Sequence, residues 1–464
     1  AQDVAMLPGV RFSIDWTHLQ AFAHFSYYVT EHTGLAEVRE LLPGGRLTLG
    51  ARESFSWAWN GAAFALDTHD LNFEAAAEEL RAVASSAVSA WAHEYDNIVL
   101  EMSGGLDSSI LASLFGQFRP GHVRGIHHMG PDYEGRDFTE AQLAARRAGV
   151  PLTALPVEFD RDDMRVIFET PHLARPNGEV LLTNVRRPSV AFCEHVGADC
   201  LVAGHGADAL FLQRSSAVHQ FSDYVRTRGI GAEFWSVAYH TAALRGVPVA
   251  RVLGDAIDAR LHPKRWRPFA FLEQSLATGH RLISQDAVDG VPSDYKWHPW
   301  LEAGARLPWG KADQLANVIA LYRYYSVCGD SLERDALMPY FSQPIVEFAL
   351  RTPSYVLVRD GVDRALERAA FNDLLPDEII QRTMKGAYAI GQIQSKQNNI
   401  SFLRDLILNG EAIKQGWFDR ERLEQALTPA SFARGASHGY IDNIAAIEAW
   451  LRSWRTLGTT PATQ

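Results

Sequence analysis

Apolar residues recur along this chain in two rhythms, and the change of rhythm divides it. From Asn72 to His93 they fall three and four apart in an Ala- and Glu-rich stretch, the spacing of an amphipathic helix. Asn97-Ile98-Val99-Leu100 then reads as a short buried strand, and Leu106 to Phe118 as a helix. The alternation continues with a strand at Val123 to Met129, a helix at Phe138 to Ala148 and a strand at Leu152 to Phe159. A helix at Ser189 to Val196 and a strand at Cys200-Leu201-Val202-Ala203 close the series. Strands alternating with helices build right-handed βαβ units, so the pattern predicts an α/β fold with a parallel sheet covered on both faces.

The flanks differ from this core. Before residue 65, aromatic and β-branched stretches (Phe22 to Thr30, Ser54 to Trp59) surround Leu41-Leu42-Pro43-Gly44-Gly45-Arg46-Leu47-Thr48-Leu49, which reads as a strand broken by a Pro-Gly turn. Beyond about 215 the strand signal fades into Ala/Leu/Arg-rich segments at Gly231 to Arg245, Ala312 to Cys328, Ile345 to Arg351, Ile400 to Leu408 and Ile441 to Arg455. The expected organisation is a small β-rich segment over 1–65 and a main unit over 66–464, with an α/β core at 66–215 and a mainly helical half at 216–464. A Pro- and Trp-rich stretch between 262 and 310 carries Trp266, Trp297, Trp300 and Trp309.

Composition narrows the classes. Of 464 residues 47% are hydrophobic and 21% charged, a globular balance that excludes a wholly disordered chain. The net charge of −11 offers no long-range attraction to nucleic acid or an anionic membrane, so any polyanionic ligand needs local neutralisation. No run approaches the ~18–20 apolar residues of a membrane span, and Ala1-Gln2-Asp3-Val4 lacks a signal peptide's basic and apolar regions. The chain opens without methionine, so processing or a missing upstream stretch is expected. Cys193, Cys200 and Cys328 stand in no metal-ligand spacing and suit a reducing compartment. A soluble cytoplasmic protein with neither nucleic-acid nor membrane partners is expected.

The strongest chemical signal is Ser103-Gly104-Gly105-Leu106-Asp107-Ser108-Ser109, directly after a predicted strand and opening a predicted helix. Two glycines permit a tight turn and close backbone approach. The helix start offers free N–H groups and a positive dipole end to phosphate oxygens. Three serine hydroxyls add donors. Asp107 is an anion in a phosphate site, which points to a cation such as Mg²⁺. The Gly-Lys-Ser/Thr of a Walker loop is absent. Ala203-Gly204-His205-Gly206-Ala207-Asp208 also follows a predicted strand. If the two strands are neighbours where strand order reverses, Asp107 and Asp208 face one metal-bound diphosphate. His127 and His128, adjacent on a strand, point to opposite faces and make no metal pair. Asp160-Arg161-Asp162-Asp163 reads as a helix N-terminus.

These two turns, together with Leu375-Pro376-Asp377-Glu378-Ile379-Ile380-Gln381-Arg382-Thr383-Met384-Lys385-Gly386 and the Pro339…Ile345-Val346-Glu347-Phe348-Ala349-Leu350 segment, resemble the asparagine synthetase superfamily of PP-loop ATP pyrophosphatases over roughly residues 70–390. The resemblance implies an adenine nucleotide alpha hydrolase-like synthetase domain that adenylates a carboxylate with ATP and Mg²⁺, releases pyrophosphate and passes the acyl group to an amine. It further implies that Ser103, Gly104, Gly105, Leu106, Asp107, Ser108 and Ser109 grip pyrophosphate and that Asp107 and Asp208 hold Mg²⁺. Glu101, His127, Ala203, Gly204 and Gly206 would border the nucleotide. Lys385, with Arg382 nearby, would neutralise the leaving pyrophosphate. The stretch from Val38 to Leu49 resembles the tail of that family's glutaminase domain.

Two departures bear on the acyl acceptor. The first cysteine is Cys193 and the N-terminal segment is short, so no glutaminase nucleophile and no ammonia supply are visible, and the amine is expected on a substrate. His205 stands where β-lactam synthetases carry a tyrosine of the dyad that deprotonates the attacking nitrogen. It either takes that role or only hydrogen-bonds within its loop. The whole pattern most resembles lasso-peptide cyclases, which join an Asp or Glu side chain of a ribosomal precursor peptide to its N-terminal amine. A precursor peptide, a leader-binding protein and a cysteine protease are then the expected partners. The Trp266–Trp309 stretch would wall the peptide cavity or simply pack a core. An asparagine synthetase using ammonia, a β-lactam-synthetase-like enzyme and a non-catalytic nucleotide- or peptide-binding paralogue are the alternatives.

Overall fold

The computed structural model describes the chain apart from residues 1, 25, 27–28, 51, 70, 131–135, 160–162, 170–171, 179–180, 182, 215, 267–281, 293–297, 323–334, 383–388, 435–437 and 457–464. Two strands, β1 (Gly45–Thr48) and β2 (Ser54–Trp57), form an antiparallel hairpin. The remaining strands are β3 (Ile98–Glu101), β4 (Val123–Met129), β5 (Leu152–Pro156), β6 (Cys200–Val202) and β7 (Asp335–Leu337). They make one sheet in the order β5-β4-β3-β6-β7, all parallel. The α/β fold expected from the alternating pattern is the observed one.

Local chemistry accounts for the long helices. Asn72 caps helix Phe73–Glu94 by accepting from the Ala75 N–H at 2.8 Å, satisfying one of the donors that every helix start leaves open. That helix buries Ala76, Leu80, Ala84, Val88 and Ala92, a strict four-residue stripe of mostly small side chains on one face. Helix Leu106–Phe118 buries every position from Leu106 to Phe115 because the sheet lies on one side of it and helices on the other. These elements share one core cluster with residues of helices Trp309–Leu321 and Gln343–Arg351.

The secondary structure departs from the sequence reading in three places. Segment 1–65 was expected to be β-rich; among its described residues the regular strands are those of the β1–β2 hairpin, with isolated antiparallel bridges at Ile14–Leu35 and His32–Arg39. Helix Trp16–His24 runs into the start of the Phe22 to Thr30 stretch and buries Leu19, Ala21, Phe22 and Ala23. Its Leu19 and Phe22 join Phe12, Ile14 and Leu35 in a second core with helices Ile400–Leu408 and His438–Thr456, so burial against partners far along the chain overrides local β-propensity. Strand β7 lies within the half expected to be helical. Asp335-Ala336-Leu337 has no β-branched run and takes its extended form from pairing with β6. Helix Thr183–Val196 begins before Pro188, which reads in sequence as a helix start.

The tryptophan-rich stretch divides. Trp300, 2% exposed, is wedged between Trp57 and Trp59 of the N-terminal segment with ring centroids 5.8 and 5.1 Å away, so it packs core and walls no cavity. Trp266 and Trp309 are half-buried, donating to Asp313 Oδ1 at 2.9 Å and the Pro263 carbonyl at 3.3 Å. Trp297 lies outside the described residues. Among those residues no helix is long and apolar enough to cross a membrane. Trp300→Ala is expected to cost about 3–5 kcal/mol, the range for emptying a buried aromatic site, read as a lower urea midpoint at unchanged m-value.

Candidate active site

Strand order brings the two glycine-rich turns together. β3 and β6 are neighbours, Leu100 in register with Val202. The chain proceeds from β3 to β4 and β5 on one side, whereas β6 pairs with β7 on the other. A crevice opens at the carboxyl ends of strands where the order reverses in this way. Ser103–Ser109 leaves β3 into it, and Gly204–Asp208 leaves β6. The turns touch: a Cβ on Gly204 would lie 3.1 Å from the Ser108 nitrogen.

The first turn is built for an anion. Gly104 has φ +75, and a Cβ there would land on the Asp137 carbonyl oxygen, so both backbone and space demand glycine. Helix Leu106–Phe118 starts after Gly105 with no side-chain cap, which leaves its first N–H groups and positive dipole end to a ligand. The serines divide their work. Ser103 is exposed and its Oγ lies 3.2 Å from the Ser108 Oγ, which also accepts from the Ser103 N–H at 3.2 Å. Ser109 is wholly buried and donates to the Gly105 carbonyl at 2.7 Å. Its hydroxyl therefore closes the turn instead of reaching a ligand, and Leu106, buried through its side chain, offers only its peptide.

Asp107 and Asp208 come together across one guanidinium. Arg364 Nη1 lies 2.5 Å from Asp107 Oδ1 and 3.1 Å from Asp208 Oδ1. Burial opposes the charge on Arg364, and the carboxylates of Asp107, Glu367, Asp208 and Asp363 outweigh it, so the guanidinium stays charged. The Tyr340 hydroxyl donates to the Asp107 carbonyl at 3.2 Å. Among the described residues no group of three or more His, Cys, Asp or Glu could form a metal cage. Two carboxylates beside open helix donors nonetheless fit Mg²⁺, which commonly takes one or two protein carboxylates and completes its shell with phosphate oxygens and water. The Arg364 Nε, buried and without an acceptor, fits the same anion.

The other expected residues fall in varied settings. Glu101 ends β3; burial pushes its carboxyl upward, opposed by the charges of His205 and Arg186 and a hydrogen bond from Ser189. His205 is exposed on the second turn. Gly206 has φ +111, and a Cβ on it would meet the Phe341 ring. The Ala203 N–H is taken by the Leu337 carbonyl at 2.9 Å. His127 does not open onto the crevice as expected of a nucleotide contact: it is 2% exposed, its Nδ1 lies 2.6 Å from the Met102 carbonyl, and its ring packs on Phe138. His128 turns the other way, to Ser189 Oγ at 2.7 Å, so alternation along the strand parts the two rings. Arg382, expected beside the nucleotide, is instead engaged by Glu140, Asp137 and, at 3.0 Å, the Gly104 carbonyl, bracing the first turn. Lys385 lies outside the described residues.

Sequence reading missed the cluster beneath the turns. Arg368 donates to the carbonyls of Asp363 at 3.1 Å, Arg382 at 2.8 Å and Ile380, tying the segment that leads toward Lys385 to the floor of the site. Glu367 is fully buried. The only signal was charges three and four apart (Asp363, Arg364, Glu367, Arg368), which ordinarily mark a solvated helix face.

Two outcomes follow. Gly104→Ala is expected to lose nucleotide binding and about 1–3 kcal/mol of stability from strained backbone, read by calorimetric titration and urea unfolding. The Glu367 carboxyl is pushed up to about 8 from 4.5, by burial first and the Asp107 charge next. Between those values the folded chain keeps a proton the unfolded chain has lost, so stability falls as pH rises from about 4.5 to about 8. Glu367→Gln should flatten that decline in Tm measured across pH 5 to 8.

Comparison with known proteins agrees with this geometry. Residues 79–452 match the asparagine synthase family, a span that takes in both turns and the Arg364 cluster. Over 479 aligned residues, 97% of this chain and 71% of the relative, the chain is 22% identical to the glutamine-hydrolyzing asparagine synthetase 3 of Bacillus subtilis (strain 168). A match of that extent, over a parallel sheet whose switch point holds a diphosphate-type turn, places the chain in the asparagine synthase family as an ATP-dependent ligase that forms an amide bond through an acyl-adenylate.

Proposed function

We propose that this ligase closes a ring in a ribosomal precursor peptide. In this reading it adenylates an Asp or Glu side chain and delivers the acyl group to the peptide's own N-terminal amine, in the cytoplasm, with a leader-binding protein and a cysteine protease as pathway partners. The observation that carries the reading is the exposed His205 at the rim of the β6 turn, in electrostatic contact with Glu101 at the end of the neighbouring strand. A histidine backed by a carboxylate is suited to take a proton from an incoming ammonium group. An amine already tethered to the substrate needs no ammonia source, and its attack gains from being intramolecular.

Each residue then has a task. The Gly104–Leu106 backbone and Ser103 hold the diphosphate oxygens. Asp107 and Asp208 would hold Mg²⁺, which screens the phosphates and makes pyrophosphate a better leaving group. Lys385 would neutralise the charge that develops as pyrophosphate departs. Arg382 and Arg368 keep the turn and the 380–382 backbone in register.

Incubating the full chain with ATP, Mg²⁺ and synthetic precursor peptides bearing an acidic side chain should yield AMP and a product lighter by one water, seen by mass spectrometry. His205→Gln should lower kcat by about 10²–10⁴-fold. Undiminished turnover of that variant across pH 6 to 9 would remove the base assignment, and asparagine formed from aspartate and ammonia would replace the peptide with a small acid.

A further inference from the structure

We propose that Arg364 is a resident counter-cation whose place the divalent ion takes, so that metal enters this site only in company with a polyphosphate. The inference rests on the nucleotide reading of the two turns and goes beyond it to the order of binding.

Arg364 is one of three non-glycine residues with positive φ among the described residues, at φ 51 and ψ 32. Such a conformation persists only where the surroundings impose it, and it marks functional positions. Its side chain is 6% exposed, and one nitrogen reaches both carboxylates that would ligate the ion. A divalent cation seated between Asp107 and Asp208 would compete for the same oxygens and lie against a like charge. The displaced guanidinium needs a new anionic acceptor, and among the carboxyls around it only the buried Glu367, whose neutral acid form burial favours, has oxygens without a hydrogen-bond partner. Asp363 already accepts from the Arg214 N–H at 3.0 Å and from Arg368, and Asp137 and Glu140 are held by Arg382.

Polyphosphate oxygens supply what is missing. They lie where the helix start and Ser103 present donors, and the Arg364 Nε, buried without an acceptor, is a ready second donor for them. A charged planar fork matches phosphate geometry better than a point charge does. Metal and polyphosphate therefore assist one another: the anion draws the guanidinium off the carboxylates, and the freed carboxylates take the ion.

The test uses Mn²⁺ as the ion and inorganic pyrophosphate as the anion, with free Mn²⁺ followed by electron paramagnetic resonance on the full chain. The unaltered protein should take up Mn²⁺ at least tenfold more tightly with pyrophosphate than without. Arg364→Gln should bind Mn²⁺ alone at least tenfold more tightly than the unaltered protein and lose most of the pyrophosphate enhancement. Arg364→Lys, which keeps a cation, should preserve part of the enhancement. Equal Mn²⁺ uptake by the unaltered protein with and without pyrophosphate overturns the proposal even if Arg364→Gln fails to fold. An undiminished enhancement in a folded Arg364→Gln, judged by circular dichroism, overturns it as well, and in either case the nucleotide reading survives. Absence of any Mn²⁺–pyrophosphate uptake removes the nucleotide reading and this proposal with it.

Discussion

The buried meeting of Asp107, Arg364 and Asp208 is the constraint around which the site is arranged. Two carboxylates at the head of two turns repel each other when drawn out of water, and a guanidinium between them makes their approach tolerable. Breaking such a pair by deleting one partner typically costs about 3–5 kcal/mol, because the survivor is left buried and uncompensated. The partly exposed Asp208 makes its share smaller than that of the enclosed Asp107. The same triad that steadies the protein alone is also what a metal-bound diphosphate must reorganise.

From that point the charges radiate outward in pairs. Arg368 secures Asp363 and the backbone of Ile380 and Arg382, and Arg382 secures Gly104 against Asp137 and Glu140. The first turn is thus braced from behind by the segment that continues toward Lys385. A turn held in place before its ligand arrives has little reorganisation left to do, which is the economy behind preorganised electrostatic binding. The mirrored arrangement of β3 and β6 does the rest, since it sets two helix starts on the same edge of the sheet.

Glu101 and His205 show what else the register of the sheet brings together. They lie far apart in the chain, yet parallel pairing of β3 with β6 puts the end of one strand beside the turn that leaves the other. Their electrostatic contact is a product of register. A one-residue slip would turn Glu101 to the opposite face. The family relationship accounts for adenylate chemistry.

How much was legible in the sequence follows from the range over which each feature is decided. The β3–β6 series, helix Leu106–Phe118 and the two turns were readable because period, glycine placement and the strand-turn-helix order are local properties. β7 was not, for three residues without β-branching become a strand only through a partner. Helix Trp16–His24 was hidden because its burial is against helices more than 370 residues later, near Ile400–Leu408 and His438–Thr456. Sequence alone determined that two glycine-rich turns follow two strands of one α/β series and that each carries an aspartate, Asp107 and Asp208. Only the tertiary structure decided that Arg364 stands between them, that Ser109 and His127 face inward and that Arg382 braces the turn, because burial and charge pairing depend on which distant segments are brought within a few ångströms.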